Sequence, residues 1–287
     1  MMPTIEQVMK CYRVVAQSER MKTGRPGEGT VANALRGTRC VCRAAGIDLA
    51  SPVTALTRQA FATALSTFVE HGLSRLTAWS YVCQLRAVFA RWSQPYYKAA
   101  GWEIPALDIP SFRAKAPRYV RPGAELLARV KAWYGKQTGE YWFAATMMLE
   151  FAVRNGDVKR LGRGNFVDVK GRVFLNYTPN KTSHSSGRVV KWPVHPEIWA
   201  TLERLRPWDR AMTDAPFNRV NKAMRELGFR GTKGAYELRK LCIDHVYQRF
   251  GAEMAVSISG DDIKTITRYY ADPSQPNIGD LRVSELL

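Results

Sequence analysis

Apolar residues recur at helical spacing along most of this chain and alternate in only one region. Residues 22–30, KTGRPGEGT, hold three glycines and a proline and read as a loop after a short N-terminal helix. From Thr30 a helical pattern through Val31, Leu35 and Val41 runs to about Ala45. A second helix is predicted over 54–71, where Leu56, Phe61, Leu65, Phe68 and Val69 share a face, and Gly72 ends it. Ser74 caps a third over 76–92, built on Leu76, Trp79, Val82, Leu85, Val88, Phe89 and Trp92. The first hundred residues therefore predict a small all-helical bundle.

The pattern breaks at 104–122, IPALDIPSFRAKAPRYVRP. Pro105, Pro110, Pro117 and Pro122 block helix continuation and stiffen the chain. Beyond it, helices are predicted at 123–135 and 139–152. Three extended runs follow at 165–169, 172–177 and 188–194, the first two joined by Lys170-Gly171 and the last two by TPNKTSHSSG. They predict a three-stranded antiparallel sheet. Further helices are predicted at 195–205, 216–227, 236–250, 252–258 and 262–270. The reading is a mainly α chain with a small antiparallel β-sheet. It has a helical domain over 1–108, a basic Pro-rich linker over 109–122, and an α+β domain over 123–287.

Charge narrows the function. Lys and Arg number 43 against 25 Asp and Glu, a formal net charge of +18, which favours a polyanionic partner and above all nucleic acid. Arg113, Lys115, Arg118 and Arg121 make the linker basic, and on the helical domain Arg75, Trp79 and Arg86 are candidates for a DNA-facing surface, with a solvated face around a core Trp79 the equal alternative. No apolar run reaches the roughly 20 residues of a spanning helix, so no membrane partner is predicted. The five cysteines include no CxxC pair and read as reduced thiols of a cytoplasmic protein. The four histidines do not cluster, which disfavours a metal centre. His245 reads as structural and His184 as a solvated loop residue.

Four stretches of the second domain stand out together. In FAVRNGDVKRL an apolar helix ends in Arg154, followed by Asp157. In NKTSHSSGRVVKWPV, Lys181 sits in the hairpin loop before the third strand. YELR opens an amphipathic helix with Tyr236 and Arg239, and ISGDDIKTITRYYADP ends a helix in the adjacent Tyr269 and Tyr270. Jointly these resemble the catalytic domain of the tyrosine recombinases, the phage integrase family. Its members carry an arginine in a Gly-Leu-Arg-x-x-Glu-Leu-like stretch, a hairpin lysine, His-x-Leu-Arg at a helix start, and a Gly-His block before a pattern like I-K-T-T-x-R-Y. The stretch LTRQAFATALSTFVEHGLSRLTAWSYVCQLRAVFARW, with its GLSxxT turn, similarly resembles the family's helical core-binding domain. The resemblance spans about residues 28–273.

What the resemblance implies is DNA strand cleavage by transesterification, with no cofactor and no metal. Arg154 and Arg239 would clamp the phosphate, Lys181 would protonate the leaving 5′ oxygen, and Asp157 would orient the arginine side of the site. The IKTITRY spacing selects Tyr269 as nucleophile, and Tyr270 is the alternative if Gly260-Asp261 stands for the Gly-His block. Tyr236 occupies a position where the family has histidine. Asp261 falls where it has His or Trp, and a charged carboxylate there would repel the phosphate. The implied partner is double-stranded DNA carrying recombination sites, engaged by a homo-tetramer in the nucleoid. Two other readings stay open: a DNA-binding protein of the same fold without chemistry, and a type IB topoisomerase-like relaxing enzyme.

Overall fold

The computed structural model describes residues 1–24, 26–111, 119–180, 187–230 and 233–270. Its contacts divide the chain into two compact units between Ala116 and Pro117, inside the basic Pro-rich stretch. Lys181, Arg113, Lys115 and Arg118 lie outside the described residues, as does His184.

The first unit is helical. Helix α1 (Ile5–Thr23) starts at Thr4, whose hydroxyl accepts from the Gln7 amide while the Gln7 side chain accepts from the Thr4 amide, a reciprocal cap. α2 (Glu28–Ala45) packs on α3 (Arg58–Glu70) and α4 (Arg75–Val88). Gly37 lets α2 approach α4 closely, because a Cβ there would lie 2.4 Å from Gln84 Cβ. Ile5, Tyr12, Phe61, Val82, Leu85 and Tyr97 are among the fully buried side chains.

Two helices differ from the sequence expectation at their ends. The run expected from residue 54 begins as the one-turn 3-10 helix Val53–Ala55, and α3 then restarts at Thr57, whose hydroxyl caps the Ala60 amide. The run expected through residue 92 stops at Val88. The Ser93 hydroxyl donates to the carbonyls of Val88 (3.1 Å) and Ala90 (2.7 Å), closing the helix end, and Pro95 fits the first turn of the short α5 (Gln94–Ala99).

The second unit begins with α6 (Ala124–Tyr134) and α7 (Gly139–Leu149), which is buried from Phe143 to Met148. Ala152, fully buried, adopts φ 51°, which turns the chain back so that Val153 N–H reaches the Met147 carbonyl at 2.9 Å. That reversal ends α7 before the expected residue 152 and delivers Arg154 as the N-cap of the one-turn α8 (Asn155–Val158). A left-handed non-glycine residue is strained, and such strain is found where surrounding packing fixes it.

Strands β1 (Phe166–Val169), β2 (Arg172–Tyr177) and β3 (Val190–Pro193) form an antiparallel sheet in the order β1-β2-β3. β2 and β3 pair with Tyr177 opposite Val190 and Phe174 opposite Pro193, and the proline is tolerated because β3 is an edge. Helices α9 (Pro196–Leu205), α10 (Ala215–Leu227), α11 (Gly234–Ser259) and α12 (Ile263–Tyr269) complete the unit. α11 breaks at Gly251, φ 84°, the junction expected between two sequence-predicted helices. Phe143, Met147, Met148, Phe151, Leu175, Phe217 and Leu238 fill the core around α7. Among the described residues no helix is long and apolar enough to cross a membrane.

Candidate active site

Four elements of the second unit bring charged and phenolic groups together: the reversal before α8, the end of β2, α11, and the turn into α12. Arg239 projects from the first half of α11 and is fully buried. Its Nη2 donates to the Ser259 carbonyl at 3.0 Å and to Asp261 Oδ2 at 2.6 Å. Arg154, whose side chain is 13% exposed, donates through its own Nη2 to the other carboxylate oxygen of Asp261. One carboxylate thus joins both arginines. Asp261 is itself 8% exposed, and its amide donates to the Ser259 hydroxyl at 3.1 Å.

The bridge corrects the expectation that Asp261 would face a phosphate as a repelling charge. Its negative charge is neutralised by two guanidinium groups, leaving the trio with one net positive charge. Burial works against the Arg239 charge, but Asp261 and the surrounding phenol oxygens outweigh it and hold the guanidinium more firmly protonated than usual. Arg239 Nε and Nη1 and Arg154 Nη1 are buried with no hydrogen-bond partner among the described residues. A buried unpaired donor costs roughly 1–3 kcal/mol, more when charged, so three together mark a place built to receive an acceptor.

The tyrosine pair is split by the periodicity of α12. Ile266 and Tyr270, four residues apart, lie on one face and are buried against Cys242, Ile243, Val246, Ala255 and Ile258. The Tyr270 hydroxyl hydrogen-bonds the Tyr236 hydroxyl, and the Arg239 guanidinium carbon sits 5.6 Å from the Tyr270 ring centroid. Tyr269, singled out as nucleophile by spacing, is 37% exposed with its ring against Arg268 at 5.2 Å. Of the two tyrosines, the one packed against Arg239 is therefore Tyr270. Burial pushes the Tyr270 phenol well above its ordinary range, with Arg239 pulling it down and Asp261 adding to the rise.

The Asp157 carboxylate, expected to orient the arginine side of the site, binds elsewhere, while its amide donates to the Arg154 carbonyl at 2.8 Å. It is 3% exposed, and its Oδ1 accepts from Arg160 Nη2 at 3.0 Å and from the Asn180 amide at 2.9 Å. It therefore ties α8 to the base of the hairpin whose loop contains Lys181. Arg121, expected to contact DNA phosphate, is used internally: Nε and Nη2 reach the Asp244 carboxylate at 2.7 and 3.3 Å, in a pair 17% and 5% exposed. Arg75 and Arg86 are exposed on α4, with Trp79 half-buried between them.

Sequence reasoning missed Tyr177. It ends β2, is 6% exposed, and its hydroxyl is buried with no partner among the described residues. Burial pushes the phenol up to about 12, and Arg239, Asp157, Arg154 and Asp261 all act on it. In the sequence it reads only as the last inward position of a strand. Among the described residues no group of three or more His, Cys, Asp or Glu side chains could hold a metal ion.

No protein-family profile matches this sequence, and no curated protein matches it. Solved structures do. The chain resembles a lambda integrase dimer bound to a COC′ core site with TM-score 0.66 and 15% identity, over 90% of this chain and 95% of that one. It resembles the Tn1549 transposon integrase in complex with transposon right end DNA with TM-score 0.60 and 13% identity, over 90% and 92%. For the XerH site-specific recombinase bound to palindromic difH substrate the values are 0.61 and 13%, over 88% and 78%. Likeness over nine-tenths of the length at such low identity is a statement about architecture: the chain has the fold of the tyrosine recombinases.

Proposed function

We propose that this protein is a site-specific DNA recombinase of the integrase type, cleaving and rejoining double-stranded DNA through a 3′-phosphotyrosyl intermediate. The observation that carries the reading is the pair formed by the buried Arg239 and the largely buried Arg154, joined by Asp261 and each with unpaired buried donors, with the buried Tyr270 against Arg239.

In this reading Arg154 and Arg239 hold the non-bridging oxygens of the scissile phosphate, where planar guanidinium donors match two oxygens at once. The Tyr270 oxygen attacks phosphorus and gives up its proton to solvent, while the bond to the 5′ oxygen breaks. Lys181 gives that oxygen a proton, so a phosphodiester is exchanged for a phosphodiester and no energy source or metal is needed. Charge that builds on the non-bridging oxygens is met by donors already fixed in a dry site, the arrangement that gives the largest catalytic terms. Phosphate binding also supplies the acceptors that the arginines lack. Tyr236, hydrogen-bonded to Tyr270, fixes the attacking oxygen. Asp157 fixes the root of the Lys181 loop through Asn180. Exposed Arg75 and Arg86, with Arg113, Lys115 and Arg118, position the duplex through its backbone, and a tetramer assembles on paired sites.

The test is a trapping assay on nicked duplex DNA taken from the sequence flanking the gene, reading a denaturation-resistant protein–DNA band. Wild type and Tyr269→Phe should both give the band and Tyr270→Phe should not. A band lost only with Tyr269→Phe would transfer the nucleophile to that residue. DNA binding without any band would favour the non-catalytic reading, and relaxation of supercoiled plasmid lacking the site would favour the topoisomerase-like one.

A further inference from the structure

We propose that the Tyr177 hydroxyl is a further catalytic donor, hydrogen-bonding a non-bridging oxygen of the phosphodiester held by Arg154 and Arg239. The inference rests on the function proposed above. It starts from a hydroxyl that is more than nine-tenths buried and has no partner among the described residues. A tyrosine buried only for its ring is normally placed so that its oxygen finds an acceptor or reaches water.

The packing around Tyr177 brings the end of β2 to the segments that carry Arg154 and Asp261. Tyr177 is the last residue of β2 and pairs with Val190 of β3. Gly260, immediately before Asp261, lies so close to this end of the sheet that a Cβ would meet Pro179 Cγ at 3.0 Å and Val190 Cγ2 at 3.4 Å. On the other side Asp157 binds the Asn180 amide at 2.9 Å, drawing α8 and its N-cap Arg154 to the same place. The end of β2 is thereby held between the segment carrying Asp261 and the segment carrying Arg154. Arg239, Asp157, Arg154 and Asp261 all act on the phenol.

The chemistry fits a donor and not a nucleophile. Burial pushes the phenol up to about 12, so it keeps its proton at neutral pH and offers an O–H. Asp261 and Asp157, the acids nearby, have both oxygens or one of them already engaged with cations and amides. A phosphate oxygen arriving at the unpaired nitrogens of Arg154 and Arg239 brings lone pairs to the same locality. Tyr177 would then add a neutral donor to a clamp of two cations, where the resemblance leads one to look for imidazole and finds Tyr236 and Asp261.

The experiment is single-turnover cleavage of the nicked duplex by the full chain, wild type against Tyr177→Phe. The scissile position is a phosphate or either methylphosphonate diastereomer, in which one non-bridging oxygen is replaced by methyl. On phosphate the variant should cleave about 10²-fold more slowly, the usual effect of deleting one donor to a developing oxyanion. Its melting temperature should equal or exceed the wild type's, because the deletion removes an unpaired buried hydroxyl. On the diastereomer that lacks the contacted oxygen, variant and wild type should cleave alike. Wild-type cleavage of phosphate by the variant, or equal slowing on all three substrates, would overturn the role of Tyr177 and leave the proposed function standing. If wild type itself forms no adduct that Tyr269→Phe or Tyr270→Phe abolishes, the proposed function fails and the role of Tyr177 fails with it.

Discussion

Asp261 is the residue at which charge reasoning from the sequence and the geometry part. An acid facing a phosphodiester alone would weaken binding, but this largely buried one bridges two guanidinium groups. Two buried cations side by side repel each other and lose hydration, and a shared carboxylate offsets both effects. Each arginine still keeps unpaired donors for a second anion. Asp261→Asn should therefore lower the unfolding free energy by about 3–5 kcal/mol, the usual cost of stranding buried charge. Nicked duplex DNA, supplying a substitute anion, should then raise the variant's melting temperature by more than it raises the wild type's. Denaturant unfolding and thermal melting with and without DNA measure both effects. Equal DNA-induced shifts in the two proteins would show that carboxylate and phosphate do not share the arginines' charge.

At the scale of elements, the site depends on how closely the turn between α11 and α12 can approach the sheet. Gly260 makes that approach possible twice over, through φ 66° and through the missing Cβ against Pro179. Gly260→Ala should cost at least about 1 kcal/mol from the left-handed backbone alone. It should also slow adduct formation, because the displaced turn carries Asp261 away from both arginines; unchanged cleavage with unchanged stability would show the contact to be incidental. The same element explains what could be read beforehand. The helices, the three strands in order and the break at Gly251 were legible, because hydrophobic period and turn residues record them, and local motif put Arg154, Arg239 and Tyr236 forward as candidates. Within the tyrosine pair, the IKTITRY spacing selects Tyr269 and the Gly260-Asp261 spacing Tyr270, and the structure buries Tyr270 on the face of Ile266. Tyr177 and the Asp261 bridge were not legible. Both arise from contacts between segments distant in sequence, which no local period encodes.

At the scale of the whole molecule, a net charge of +18 does not say which cations meet the polyanion, and the structure sorts some of them. Arg121 lies in the most basic stretch of the sequence, yet it is committed to Asp244 through two bonds in a pair that is largely buried. Arg75 and Arg86 stand exposed on one side of α4. Cations that neutralise phosphates release condensed counterions, so each contributes to the slope of log affinity against log salt, whereas a cation locked in an internal pair does not. Arg75→Ala and Arg86→Ala should each flatten that slope by about 1 and leave the melting temperature unchanged. Arg121→Ala should do the reverse, lowering the melting temperature by stranding the buried Asp244 carboxylate and leaving the slope as it was. Fluorescence anisotropy of labelled duplex across a salt series, paired with thermal melting of each variant, separates the two classes. A flatter slope for Arg121→Ala at unchanged stability would mean that its bond to Asp244 gives way on DNA and that the basic stretch contacts the backbone after all.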